Sequence, residues 1–214
     1  MERNREITVK GIGSLSVPVD WVILSLTLEE LNKDYEAGYK DFENHISALQ
    51  DAVVSAGFKK TDLKTNEIAI TTKYEEVRKN GVYTEVFAGY QFKTEAKLEF
   101  DFDSQRLGIA LQKLGESGVT PKIKIDFSVK DEEAVKNRLL ANAAKNAKEK
   151  AEILCEAMGV KLGKLLTIQY DWNEISIFSS TRYERNICVG SVVGFTPDDI
   201  SLEDDACFVW EIED

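Results

Sequence analysis

Hydrophobic and polar residues alternate along this chain with two different periods, which predict strands and helices. A period of two predicts a long bent strand from Ile7 to Leu31 and a return strand in which Phe92 to Phe102 face one way at every second position. The same period runs through the segments LKTNEIAITTKYEEV, KIKIDFSV, KLLTIQY and ACFVWEI. Between LKTNEIAITTKYEEV and the return strand, Asn80-Gly81 is a strong hairpin signal.

Three segments instead show the three-to-four-residue period of helices. The first carries an apolar stripe from Tyr35 to Ala56 and stops at Gly57, and the second follows Ser104 as its N-cap. Asp131 caps the third and longest helix, whose stripe is Val135, Leu139, Ala143, Ala147, Ala151, Leu154 and Met158. The pattern predicts an α+β fold of mostly antiparallel sheets, with three main helices packed on one face and two intimately packed lobes.

Domain organisation follows from the same pattern. Length and apolar content fit one domain over residues 1–214, with a weak boundary between lobes near residue 103. Residues 171–205 have mixed polarity and weak periodicity, so we expect a variable excursion there. Within it, the acidic segment Asp198–Asp205 lacks the ligand spacing of a calcium loop and predicts a solvated turn.

Gly11 and Gly13 stand two residues apart after a β-like run, as in a nucleotide-binding loop. That motif requires a third glycine where this chain has Ser16, and it requires a helix where Val22 and its neighbours alternate. We therefore expect a bulge or a close backbone approach at the two glycines, with Pro18 marking an edge or a kink.

Composition and charge narrow the classes of partner. The chain of 214 residues has a formal net charge of -11, which repels nucleic acid and anionic lipid. No run is long and apolar enough for a membrane span, and the first ten residues lack the apolar centre of a secretory signal. We expect a cytoplasmic protein, with a periplasmic or exported protein as the alternative if a leader precedes this sequence.

Residues able to carry catalysis are few. Cys155, Cys188 and Cys207 have neither disulfide nor metal-site spacing, and we expect buried or half-buried thiols. His45 is the single histidine and is predicted to lie at the surface or boundary of the first helix, without a Ser, Cys or metal-spaced carboxylate to activate it. The sequence predicts no catalytic residue, no cofactor and no metal site.

The segment ITVKGIGSLSVPVDWVILSLTLE resembles the opening of the SIMPL family, also called DUF541, whose members begin with an Ile-x-Val-x-Gly-x-Gly strand. The resemblance continues through GYQFKTEAKLEFD, LGIALQKLGESGV and FVWEI, and its most specific part is the alanine-rich helix followed by AMGVKLGKLLTI. Two features depart from the family pattern. Pro18 and Asp20 are separated by Val19, and residues 172–195 are not the Pro- and Met-rich excursion of many members.

The resemblance implies a protein that interacts with other proteins. The family takes its name from a member that associates with a signalling kinase, and many bacterial members are exported, linked to stress tolerance and thought to self-assemble. The resemblance supplies no catalytic residues.

We therefore expect a non-enzymatic assembly or protein-interaction module, with a protein that binds a small ligand or metal ion in a cleft between two lobes as the alternative. We expect a homo-oligomer with apolar contacts that persist or strengthen in added salt, because the net charge opposes ionic contacts between identical chains. The candidate partner or self-association residues are Tyr83, Val86, Phe87, Tyr90, Ile177, Phe178 and Tyr183.

Overall fold

The structure is a computed structural model that describes residues 5–79, 81–171, 175–185, 194 and 196–214. Its main elements, in chain order, are β1 (Glu6–Val17), β2 (Trp21–Asn32), α1 (Tyr35–Ser55), β3 (Leu63–Lys79), β4 (Val82–Asp101), α2 (Ser104–Glu116), β5 (Lys122–Ser128), α3 (Glu132–Ala157), β6 (Lys161–Gln169), β7 (Tyr183–Arg185) and β8 (Ile200–Glu213). The predicted α+β class is confirmed, because the described residues form three α-helices and two antiparallel sheets.

The chain divides into two compact units. Unit 1 comprises Met1–Val19, Val129–Ser179 and Asp198–Asp214, and unit 2 comprises Asp20–Ser128 and Ser180–Pro197. Residue 103 lies within unit 2, where Asp103 is the N-cap of α2 and its carboxylate accepts hydrogen bonds from the N–H groups of Gln105 and Arg106. The prediction that Ser104 caps this helix was therefore wrong by one residue.

Unit 2 contains a five-stranded antiparallel sheet in the order β3-β4-β2-β5-β7. The predicted alternation in β4 is confirmed, because the side chains at every second position from Phe92 to Phe100 are buried. They lie opposite the buried residues of β2 in register, for example Leu98 opposite Leu24. The α1 helix packs against β2 and β4. Gly81 has a φ of +86°, as a tight hairpin turn requires, whereas its predicted turn neighbour Asn80 lies outside the described residues.

Unit 1 contains a three-stranded antiparallel sheet in the order β1-β8-β6, with α3 packed against β1 and β8. Asp131 caps α3 as predicted, since its carboxylate accepts a hydrogen bond from the Ala134 N–H. Two buried clusters form the core of the unit. One includes Leu139 and Ile177, and the other includes Phe208 and Trp210.

The predicted long bent strand from Ile7 to Leu31 is two strands that belong to different sheets. The β1 strand ends at Val17 and β2 begins at Trp21. Pro18 follows β1 directly and has no N–H to continue a ladder, so the pairing stops there. Asp20 then bonds within unit 2, donating its N–H to the Ser128 carbonyl and accepting from the Phe102 N–H.

The final strand begins earlier than predicted, at Ile200, so the acidic segment Asp198–Asp205 is mostly strand and the predicted solvated turn was wrong. Residues at every second position, from Ile200 to Trp210, are buried. The alternation was missed because one of these inward positions is occupied by a carboxylate, Asp204.

Candidate interaction surfaces

Gly11 and Gly13 bring the backbone of α3 against β1. A Cβ atom on Gly11 would lie 2.1 Å from the Ala143 carbonyl oxygen, and one on Gly13 would lie 2.1 Å from the Leu139 carbonyl oxygen. The predicted close backbone approach is confirmed. The alternative prediction of a bulge was wrong, because the register between β1 and β8 is continuous from Glu6 to Val17.

Polar side chains of α3 cover the outer edge of β1. The Asn146 side chain accepts a hydrogen bond from the Ile12 N–H at 3.0 Å, and the Asn142 amide donates to the Ser14 carbonyl at 3.2 Å. Lys150 donates to the Lys10 carbonyl at 3.4 Å.

The residue spacings of a helix and a strand explain why side chains of α3 reach successive backbone groups of β1. Backbone groups on one edge of a strand recur every two residues, about 6.6–6.8 Å, and residues four apart on a helix rise about 6 Å. We call Asn142, Asn146 and Lys150 the edge ladder. It gives three outer backbone groups of β1, the Ile12 N–H and the Lys10 and Ser14 carbonyls, partners within unit 1.

Asp204 is a carboxylate buried on the inward face of β8, at 8% exposure. It accepts hydrogen bonds from the Tyr170 hydroxyl, at 3.0 Å, and from the Asp205 N–H. Burial and the bond to Asp204 raise the pKa of the Tyr170 phenol above its ordinary value. Its neighbour Asp205 points the other way and forms an ion pair with Lys10 at 3.0 Å. These contacts link β8 to β1, through Lys10, and to the residue that follows β6, Tyr170.

His45 is half-exposed and pairs through Nδ1 with the Glu30 carboxylate. The prediction of a boundary histidine is confirmed, and the carboxylate partner, which the sequence did not reveal, joins α1 to β2. Cys155 is buried and Cys207 is half-buried, as predicted, whereas Cys188 lies outside the described residues. Across the described ranges, no three His, Cys, Asp or Glu side chains are grouped for a metal ion.

The residues predicted for partner contact lie in three places. Tyr83 and Phe87 are exposed on β4, with Val86 and Tyr90 half-buried beside them. Ile177 is only 1% exposed in the core of unit 1 and leaves the candidate surface, because the irregular segment that contains it packs inward. Phe178 is exposed in unit 1, and Tyr183 pairs with Ile125 in unit 2.

Five aromatic rings form a continuous row on unit 2. Tyr35 lies between Tyr39 and Tyr90, with ring centroids 6.3 Å and 5.3 Å away. Phe87 lies between Tyr90 and Tyr74, with centroids 5.3 Å and 6.1 Å away. We call these five residues the aromatic row. All except the half-buried Tyr90 are exposed, so the row presents ring surface to solvent.

Carboxylates lie at both ends of the aromatic row. At one end, a hydrogen bond to the Glu43 carboxylate raises the pKa of the Tyr39 hydroxyl. At the other end, Glu76 and Glu85 are directly opposite each other on β3 and β4, next to the Tyr74–Phe87 pair. Because side chains two residues apart share a face of a strand, these carboxylates lie on the face that carries Tyr74 and Phe87.

Unit 1 also exposes apolar side chains at the end of α3 and on β6. They are between 41% and 78% exposed, and they are Ile153, Leu154, Met158, Leu165, Leu166 and Ile168. We call them the aliphatic surface. The predicted inward orientation of Leu154 and Met158 was wrong, because Cys155 takes the inward position in the last turn of α3.

The exposure of β6 has a structural cause. Ile168 and Leu165 lie opposite Phe208 and Trp210 in the sheet. Those two partners pack with the alanines of α3, whereas α3 leaves much of β6 uncovered. The pairing of β6 with β8 also contains two register shifts, which the apolar run KLLTIQY did not indicate.

An open depression also lies over β1 and β8, lined by Ser14, Ser16, Ser201 and Glu203 among others. Hydroxyl groups and one carboxylate are compatible with many polar molecules. This arrangement identifies no ligand class.

The sequence matches a known protein family. A search among proteins of curated function finds no match. Among the described helices, none is long and apolar enough to cross a bilayer. A family model described as a protein of unknown function (DUF541) matches residues 7–188, which span β1 to beyond β7. Since the match covers most of the 214 residues, this chain belongs to the SIMPL family.

Proposed function

We propose that this protein is a non-enzymatic module that assembles with copies of itself and binds other proteins. The observation that carries the proposal is the aliphatic surface at the end of α3 and on β6. Exposed aliphatic side chains that lie close together are typical of surfaces that contact another protein. A stress or signalling role, which the family resemblance implies, stays a prediction.

The charge distribution favours this surface for contact between identical chains. The chain has 38 acidic residues, yet none occurs from Ala157 to Tyr170, a segment that contains β6 and two lysines. Two copies repel each other least where acidic residues are absent. We therefore expect an apolar contact that added salt strengthens, because salt screens the remaining repulsion.

Sedimentation velocity of the full chain tests the assembly. The wild-type protein should sediment as a dimer or larger species, and Leu165→Asp should sediment as a 24.1 kDa monomer. Ile12→Asp is the matched control, because Ile12 is an exposed aliphatic residue of the same sheet outside the aliphatic surface. This control should behave as the wild type.

Two outcomes would contradict the proposal. A wild-type monomer at tens of micromolar, in both low and high salt, would rule out self-association. A monomer produced by Phe87→Asp but not by Leu165→Asp would place the contact on the hairpin that the sequence had indicated.

A further inference from the structure

We infer that the aromatic row on unit 2 binds an extended, arginine-bearing segment of a partner protein. The inference rests on the proposed interaction function and specifies the chemistry of the partner. It concerns a different unit from the aliphatic surface, so the two proposals can fail separately.

The first argument comes from Glu76 and Glu85. They are direct cross-strand neighbours, and like charges in that position destabilise a hairpin. Within the part of the chain that the structure describes, neither carboxylate has an ion-pair partner. Arg78, two residues along the same face, lies instead over the Tyr83 ring, 5.8 Å from its centroid. A cation supplied by a partner would relieve the repulsion between the two carboxylates.

The second argument comes from the rings. A guanidinium group stacks on aromatic faces and binds carboxylates through a planar fork of donors, whereas an ammonium lacks both the planar stacking and the fork. The Tyr74–Phe87 pair is exposed and lies next to the two carboxylates, so a single side chain could reach both a ring and negative charge. This combination favours arginine over lysine.

The third argument is spacing. Neighbouring centroids along the aromatic row are 5.3–6.3 Å apart. Side chains on one face of an extended peptide recur about every 6.6–6.8 Å. A peptide in that conformation can therefore place successive side chains near successive rings. Glu43 at the Tyr39 end supplies a carboxylate for a second cation farther along the segment.

Net charge supports a cationic partner. With a formal charge of -11, the protein attracts basic segments from a distance and repels acidic ones. We therefore expect binding that weakens as salt is added, opposite to the salt response of the proposed self-association.

Fluorescence anisotropy with labelled peptides tests the inference on the full chain. The probes are a short peptide of alternating Arg and Ala, the same peptide with Lys, and the same peptide with Glu. The Arg peptide should bind most tightly, the Lys peptide more weakly, and the Glu peptide not at all.

Two adjacent glutamates give a matched pair of variants. Glu76→Gln removes a carboxylate beside the aromatic row and should weaken binding of the Arg peptide roughly two- to fivefold. Glu75→Gln removes the same charge from the opposite face of β3 and should leave binding unchanged. Phe87→Leu keeps an apolar side chain but removes the ring, and it should also weaken binding roughly two- to fivefold.

The fold of the hairpin can be controlled for directly. Glu76→Gln removes a like-charge repulsion, so its circular dichroism and melting temperature should not fall. Leu165→Asp should bind the Arg peptide as the wild type does, which separates this inference from the assembly.

Three results would overturn the inference. They are no binding of the Arg peptide at low salt, an equal loss in Glu75→Gln and Glu76→Gln, and dissociation of an oligomer by Phe87→Asp. The last result would show that a second copy occupies the aromatic row.

Discussion

The two units place a helix on a sheet in opposite ways. In unit 1 the glycines belong to the strand, and Gly13 lets the backbone of α3 approach within van der Waals distance of β1. In unit 2 the glycine belongs to the helix, and Gly38 of α1 leaves space for the ring of Phe92 on β4. Unit 1 therefore relies on backbone proximity and unit 2 on large side chains, so the two should respond differently to changes in side-chain size.

The largest effect is expected from Phe92→Ala in unit 2. Phe92 is fully buried and contacts the rings of Phe42 and Tyr35, with centroids 5.7 Å and 5.9 Å away. The cavity left by its ring should lower the free energy of unfolding by about 3–5 kcal/mol. Urea denaturation measures the loss, and hydrogen exchange should show it first in unit 2. A loss below about 1 kcal/mol would show that unit 2 does not depend on this side chain.

Gly13→Val should have the next largest effect. The new side chain would meet the backbone of α3, which cannot rotate away as a side chain can, so the helix must move outward. We expect a loss of roughly 1–3 kcal/mol in unfolding free energy, with faster hydrogen exchange in unit 1. Ser16→Val, at an exposed position of β1, is the control and should change stability by less than about 0.5 kcal/mol. If Gly13→Val is as stable as the wild type, the close approach of α3 to β1 does not determine the fold.

The smallest effect is expected from Gly38→Ala. A Cβ there would lie 2.5 Å from Cε2 of the Phe92 ring, but alanine gains about 1 kcal/mol over glycine in a helix. The two contributions should leave the unfolding free energy within about 1 kcal/mol of the wild type. Combining Gly38→Ala with Phe92→Leu should recover part of the cost of Phe92→Leu alone, because the shorter side chain leaves room for the methyl group. If the double variant shows no recovery, the crowding comes instead from Asn32, whose Cβ would lie 2.7 Å from the new alanine Cβ.

The sequence predicted those elements whose side chains follow a regular period. The alternation from Phe92 to Phe100 and the stripe from Val135 to Ala151 identified buried faces correctly, because burial of apolar side chains produces the period. Gly13 was identified as a close approach since the lack of a side chain is itself informative.

Features that depend on partners distant in the chain were not predictable in the same way. Asn142 and Asn146 look like solvated residues beside an alanine stripe, and only the fold brings them to the edge of β1. Asp204 interrupts an apolar alternation, so its burial was not predicted. The hydroxyl that bonds the buried carboxylate belongs to Tyr170, which is 34 residues away in the chain. Ile177 lies in a segment without a period, so its burial left no pattern to detect.

The edge ladder limits how copies of this chain could polymerise. A filament that grows by adding strands, copy after copy, needs two free edges on each sheet, one to receive the preceding copy and one to offer to the next. In unit 1, the β1 edge is already bonded to Asn142, Asn146 and Lys150 of its own helix. Strand addition on this sheet would therefore meet a free edge at β6, whereas at β1 it would have to displace these three bonds, which opposes amyloid-like growth from this sheet.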